Sequence, residues 1–412
     1  MKCRPQNSAG GISFSAQQMS VCLDNHSFRC YNITAFIRET GESILKHALD
    51  FCKAQPVLVI SFILALATVF IVPVDAQYAG YCNFSVLAEL FALMIAVAGL
   101  RSVGIFETLT EQLLKRAGNL RRLSRIFVIV CFFSSMLITN DVALITFVPL
   151  TILAFAKTDD ERSRILTIVL ETAAANLGSM LTPIGNPQNL YLFERFEMTG
   201  AQFVLTMLPI GAVCFVILML LTMLIPKSEC SSDQKHHKRV SYRLMTVYLL
   251  LFALCIVTVF KLLPFWVCAA AAVVTALVFD RYLLLKADYA LLLTFVCFFI
   301  FVGNISRIDA VHSFFSGIIK GNEIAVSALL SQAISNVPAA VMLSGFTDNG
   351  TALLIGVNVG GLGTPIASMA SLISLQMYRL TSTAQTKRYM GWFSAVNFGM
   401  LAVLLVFCIA VF

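Results

Sequence analysis

The sequence predicts an all-α, polytopic integral membrane protein. It is read as two inverted-topology repeats, each holding a re-entrant hairpin and a broken transmembrane helix. Three observations predict this. First, the 412 residues are 58% hydrophobic and only 12% charged, with a mean hydropathy of +0.85; a soluble domain carries about 25% charged residues. Second, several long apolar runs are interrupted at their centres by polar residues or by Gly and Pro. Third, these interruptions recur in the same order in both halves. Lipid leaves backbone groups no outside partner, so spans are helices or closed barrels. The ten-residue alternation of a barrel is absent, and the runs are long and continuous.

Residues 1–55 are polar and mixed, with no leading apolar stretch of the kind a signal peptide carries. They read as a cytoplasmic N-terminal segment. Within it 40-TGESILKHALDFCKA-54 is expected to form an amphipathic helix on the membrane surface. The part before that is expected to be disordered, with Met19 as an alternative start. Apolar segments follow at 56–73, 84–105, 126–156, 165–190, 202–225, 244–262, 264–283, 288–304, 323–346, 351–377 and 391–412. The polar stretch 226–243, read as a cytoplasmic linker, divides the chain into membrane halves 56–225 and 244–412.

Segments 126–156 and 323–346 break at Thr139-Asn140-Asp141 and Ser335-Asn336-Val337-Pro338. The arms of the second are about half the roughly 20 residues a spanning helix needs. Both are therefore read as hairpins that enter and leave on one side. With that topology and a cytoplasmic N-terminus, the C-terminus is outside. Of the 29 Lys and Arg, all but Arg195, Lys261, Arg307 and Lys320 then face the cytoplasm, a strong positive-inside bias. The net charge of +7 follows from topology, and no nucleic-acid partner is inferred from it. The 12 Cys are scattered and show no metal spacing.

The repeat is explicit. 176-NLGSMLTPIG-185 matches 358-NVGGLGTPIA-367, pairing Asn176 with Asn358, Gly178 with Gly360, Thr182 with Thr364 and Pro183 with Pro365. At the hairpin tips, Ser135-x-x-Ile138-Thr139-Asn140 matches Ser331-x-x-Ile334-Ser335-Asn336. Under the expected topology the copies run in opposite directions. Such repeats, with broken helices, place a binding site near the midplane.

The glycines and prolines of 178–189 and 360–365 are poor helix-interior residues and should unwind both segments. Unwound backbone at membrane depth must be buried in protein or line a cavity. There its carbonyls can hold a cation and helix N-termini can face an anion. Ser135, Thr139 and Asn140, and again Ser331, Ser335 and Asn336, add hydroxyl and amide oxygens that suit a hard cation such as Na⁺. The same serines and threonines can instead bond helix carbonyls, with the asparagines capping the second arms. Asp141 has Val337 as its counterpart. It either caps its helix or serves as an ionisable group in the site, and a mid-membrane carboxylate costs roughly 2.5–3.5 kcal/mol on insertion scales. Glu171, about two turns before the break, is a further candidate for proton or cation coupling; Glu171 and Glu89 are alternatively contacts to headgroups or neighbouring helices. Asn176, Asn358, Asn186, Gln188 and Asn189 are expected to brace the broken helices or line the pocket.

The strings 139-TNDVALITFVPL-150, 176-NLGSMLTPIGNPQN-189, 335-SNVPAAVML-343 and 360-GGLGTPIAS-368 resemble the ion-transporter superfamily over roughly 56–412. That group holds arsenite permeases, sodium/proton antiporters, citrate transporters and divalent anion:sodium symporters; within it the likeness is to YbiR-type anion permeases. The resemblance implies a homodimer in the cell membrane, with a transport part moving against a scaffold as an elevator. In the symporter branch each tip carries Ser-Asn-Thr. Sodium is held by tip Ser and Asn with the unwound loop, and substrate by tip Asn and Thr. Carried over, this nominates Ser135, Thr139 and Asn140 with Gly178–Thr182, and Ser331, Ser335 and Asn336 with Gly360–Thr364. Neither tip keeps the final Thr.

The expected function is secondary active transport of a small inorganic or organic anion, coupled to Na⁺ or H⁺ and without a cofactor. A cation/proton antiporter using Asp141 is the rival reading, and a channel a weaker one. No nucleophile–base set or metal motif points to an enzyme.

Overall fold

The computed structural model describes residues 55–104, 118–155, 160–228 and 241–412. The expected surface helix 40–54, the stretch before it and most of the polar linker lie outside the described residues. The described residues form an all-α polytopic membrane protein. In chain order its helices are α1 (Pro56–Ile71), α2 (Tyr78–Tyr81), α3 (Phe84–Val103), α4 (Leu120–Ile138), α5 (Asn140–Phe155), α6 (Glu161–Ser179), α7 (Pro187–Arg195), α8 (Gly200–Leu221), α9 (Tyr242–Val259), α10 (Phe265–Phe279), α11 (Leu283–Lys286), α12 (Tyr289–Ser306), α13 (Asp309–Ile319), α14 (Glu323–Ile334), α15 (Asn336–Leu343), α16 (Gly350–Val359), α17 (Met369–Arg379) and α18 (Thr386–Val411). Five are long and apolar enough to cross a membrane: α3, α8 with its 3₁₀ extension to Leu224, α9, α12 and α18.

The helix starts follow capping chemistry. Asn83, Asn119, Asp160, Asn186, Thr199, Asp288 and Asn349 each accept a first-turn backbone N–H through the side chain, satisfying donors that lipid would leave bare. α1 and α7 begin with Pro56 and Pro187, where the missing N–H costs nothing.

The two hairpins are helix–break–helix units. α4 packs on α5 and α14 on α15, and each break is a single residue, Thr139 (φ 63°) or Ser335 (φ 77°). The second hairpin's arms are 12 and 8 residues long, about 18 and 12 Å.

The helix breaks are shorter than the sequence suggests. α6 stays helical through Ser179 and α7 restarts at Pro187, so only 180–186 leave the helix. Asn186-Pro187 is a cap followed by a first-turn proline, and that pair ends the break early. Gly178 lies inside α6's last turn because of its neighbour: a Cβ there would collide with the backbone carbonyl of Phe132 and with Ser135. The second break, 360–368, contains one 3₁₀ turn at Pro365–Ala367.

Helix contacts divide the described residues into two groups. One joins the hairpins to the broken helices: α4 on α6, α14 on α16, α5 on α17, and α15 on α7, flanked by α8 and α18. The other packs α1 on α12, and α3 on α9, α10 and α11. They meet where α3 touches α7 and α12 touches α15, and one continuous buried apolar core runs through both. At one end Arg307 donates to Asp75 (2.7 Å) and Tyr81 (2.9 Å), tying the loop after α1 to the end of α12. That guanidinium holds the Asp75 carboxyl below the usual carboxylate range.

Gly178→Ala should lower the melting temperature of the purified protein well below that of Gly399→Ala, where a new Cβ meets nothing within 4 Å. Overpacking of a tight contact costs about 1–3 kcal/mol. Equal melting of the two variants in detergent would contradict the close approach of α6 to α4.

Candidate functional site

The hairpin tips and the two helix breaks meet through a reciprocal set of hydrogen bonds. Asn176, in the last turns of α6, accepts from Ser368 Oγ (2.9 Å) and donates toward Ser371 Oγ (3.5 Å). Asn358, in the last turn of α16, accepts from Asn186 Nδ2 (3.2 Å) and donates to Asn189 Oδ1 (2.6 Å). Ser368 and Ser371 stand at the same offset from Asn186 and Asn189 as Asn358 does from Asn176. Each broken helix is therefore laced to the start of the other half's restarted helix, in the same pattern both times.

The hairpins dock on these breaks in matching fashion. Thr182 Oγ1 donates to Met136 O (2.5 Å), and Thr364 Oγ1 donates to Gln332 O (2.9 Å). Gly178 lies against Phe132, and Gly360 against Ala328. Asn140 N donates to Gly185 O (3.3 Å), while Ser335 Oγ donates to Ala367 O (3.4 Å). Thr139 (φ 63°, ψ 150°) and Ser335 (φ 77°, ψ 155°) share one backbone conformation, which non-glycine residues adopt at a cost of order 1–3 kcal/mol and which marks functional positions.

Between the tips lies a small cavity of about 70 Å³ lined by Asn140, Asp141, Pro187, Gln188, Ser335, Asn336, Val337, Pro338, Ser368, Met369, Thr294, Asp288 and neighbouring α1 and α12 residues. These include the N-terminal residues of α5, α7, α15 and α17. A second cavity shares Asp141, Pro187, Asp288, Leu291 and Met369 with the first and continues past Thr139 and Asn186 to Arg101, Ser102 and Lys286. On another side of α7 and α15, a third opens around Tyr191, Arg195, Tyr81, Ser306 and Ser344.

Of the residues picked out from sequence, Thr139, Asn140, Asp141, Asn186, Gln188, Ser335 and Asn336 line the first two cavities. Ser135 and Ser331 instead turn back onto their own helices, donating to Phe132 O (2.9 Å) and Ser327 O (2.7 Å). Asn176, Gly178, Thr182, Asn189, Asn358, Gly360 and Thr364 stand behind the cavity wall as bracing. Asn140 is oriented by Asn176, to which its Nδ2 donates (3.0 Å). Asp141 Oδ1 has no hydrogen-bond partner among the described residues. Glu171 lies apart, fully buried, accepting from Thr151 (2.5 Å) through Oε1, with Oε2 unpartnered among the described residues. Glu89 is likewise buried, with Oε2 unpartnered.

Sequence reasoning missed Ser368, Ser371, Gln332 and Asp288. Extending the repeat two residues past Ile366 would have paired Asn186 with Ser368. Gln332 stands opposite Met136 in the tip motif, a polar residue against an apolar one. Asp288 carries only an ordinary helix-cap signal.

Long apolar spans around a cavity bordered by helix breaks and carrying polar side chains in its wall define a polytopic membrane transporter. The chain belongs to the citrate transporter family, whose model matches residues 48–349. It is 35% identical over 304 residues to an uncharacterized transporter of Methanocaldococcus jannaschii, covering 72% of this chain and 81% of that one. It is 31% identical over 304 residues to the inner membrane protein YbiR of Escherichia coli, covering 72% and 80%. A silicon efflux transporter of Oryza sativa subsp. japonica is 30% identical over 169 residues, 40% of this chain and 34% of that one.

Asn176→Ala and Asn358→Ala should each destabilise the protein, because buried partners left unpaired cost about 1–3 kcal/mol. Asn176→Ala should also reduce transport, since it releases Asn140, whereas Asn358→Ala has no tip side chain to release. Melting curves and flux of both variants check this; unchanged melting of both would refute the lacing.

Proposed function

We propose that the protein is a secondary active transporter that moves a small anion or oxyanion, coupled to Na⁺ or H⁺. One observation carries the reading: four helix N-termini, those of α5, α7, α15 and α17, border a single cavity. Each N-terminus points the positive end of a helix dipole at the cavity, a setting that favours an anion, although at α5 and α7 first-turn amides are already taken, Asp141 N by Asn140 Oδ1 and Asn189 N by Asn186 Oδ1. At α15 and α17 no side-chain cap occupies the first-turn amides. The citrate transporter family agrees with a small anionic cargo.

The matched lacing, docking and tip conformations support reading the halves as inverted repeats. The two packing groups support an elevator in which the hairpins and broken helices move against α1, α3, α9, α10, α11 and α12. If the Lys- and Arg-rich side is cytoplasmic, the cavity reaching Arg101 and Lys286 faces inward, in a plasma-membrane protein with its C-terminus outside. The resemblance supports a homodimer.

The rival is a cation/proton antiporter centred on Asp141, whose Oδ1 lacks a partner among the described residues. Asp141→Asn distinguishes the two. It should abolish proton-coupled exchange in an antiporter, but leave part of the anion uptake of a symporter. Asn336→Ala, by removing a cavity amide, should weaken anion-dependent stabilisation in a thermal-shift screen of oxyanions and carboxylates with and without Na⁺. Proteoliposome flux indifferent to both substitutions would place the site elsewhere.

A further inference from the structure

We propose that the Gln332 carboxamide stands where a cation would otherwise sit in the second half, so that a coupling cation binds only in the first. This rests on the transporter reading for its consequence, but not for its geometry.

Gln332 lies three residues before the second tip, its side chain reaching into the 360–368 break. Nε2 is 3.0 Å from Ala328 O, 2.8 Å from Gly360 O and 2.9 Å from Leu362 O. Three carbonyl oxygens thus converge on one nitrogen that carries two hydrogens. Oε1 accepts the backbone N–H of Thr364 (2.9 Å). A backbone N–H only donates, so that bond fixes which end of the amide faces the carbonyls. The loop is drawn tightly around the group: a Cβ at Gly363 (φ 102°) would collide with Oε1. Oxygens brought this close repel one another unless a donor or a cation lies between them. Here the donor is part of the chain.

The first half lacks this device. The residue matching Gln332 is Met136, whose side chain has no N–H to offer. The carbonyls matching Gly360 and Leu362 are those of Gly178 and Met180. Asn189, the amide on that loop, takes a different pair, Ser179 O (3.3 Å) and Thr182 O (3.0 Å). A second, independent asymmetry falls on the same side. The first half carries the carboxylate Asp141 at its tip, with Oδ1 unpartnered among the described residues, and the second half carries Val337. One half thus has the extra carboxylate and no side-chain donor at the Gly178 and Met180 carbonyls, the first of which accepts the Leu181 N–H of its own turn (3.1 Å); the other has the side-chain donor and no carboxylate. The nearly matched backbones provide for a cation once.

The test is melting of the full-length protein in detergent, in NaCl and in choline chloride at equal ionic strength. Gln332→Met should melt below wild type in choline and recover part of the loss in NaCl, giving a sodium response larger than wild type's. A variant that shows the wild-type sodium response would overturn the proposal. Should Gln332→Met fail to fold, Gln332→Lys and Gln332→Glu decide. An ammonium among the carbonyls should be tolerated without sodium, and a carboxylate only with it; the reverse order overturns the proposal. In proteoliposomes, any sodium dependence of wild-type uptake should saturate with a Hill coefficient of about one, and a coefficient near two would also overturn it. A chain with no measurable flux would sink the transport reading yet leave the melting comparison of Gln332 intact.

Discussion

Everything at the site depends on ending four helices inside an apolar interior. A helix terminus leaves several backbone groups unpaired, and lipid cannot supply partners. Asn176 and Asn358 meet that constraint. Each sits in the last turns of one broken helix and bonds the first residues of the restarted helix from the other half. The breaks are therefore not independent: moving one restarted helix strains the lacing of the opposite break. That mutual dependence keeps four N-termini around one cavity instead of letting the loops collapse into helix.

The hairpins add the second layer of constraint. Thr139 and Ser335 hold a backbone conformation natural to glycine, and the arms beyond them carry the cavity amides of Asn140 and Asn336. Such a conformation persists only where its surroundings over-determine it. Here the surroundings are the threonine bonds from each break to the arm carbonyls and glycines that let the helices touch. A relaxed tip would change the direction of the second arm's first turn, and with it the electrostatic field at the cavity.

Much of this was legible in the sequence. Apolar runs, the two polar interruptions and the Asn-x-Gly repeat locate the hairpins and breaks because Gly, Pro and mid-membrane polar residues have few physical uses. The rotation of each helix about its axis was not legible. Ser135 and Ser331 sit in runs that are apolar nearly all round, so periodicity does not say whether a hydroxyl meets the cavity or its own helix; both meet their own helix. The sequence predicts unwinding throughout 178–189 when glycine counts only as a helix breaker. At Gly178 its role is to lack a side chain where α6 meets α4. Gln332 was missed because its work is done on carbonyls about 30 positions away along the chain, a contact no local pattern announces.

The two breaks make matching hydrogen bonds at the site but the tips carry different charges, and that difference has a thermodynamic consequence for the proposed function. Four helix N-termini favour an anion, while Asp141, on the same cavity wall, opposes one. A bare anion and a bare carboxylate in one low-dielectric cavity repel strongly. A proton or metal cation at Asp141 removes the repulsion, so occupancy by the cation raises affinity for the anion. By linkage the anion raises affinity for the cation by the same factor. Coupling between cargo and ion then requires no contact between them and no separate relay. It follows from placing a carboxylate, Asp141, at one hairpin tip and an apolar residue, Val337, at the matching position of the other.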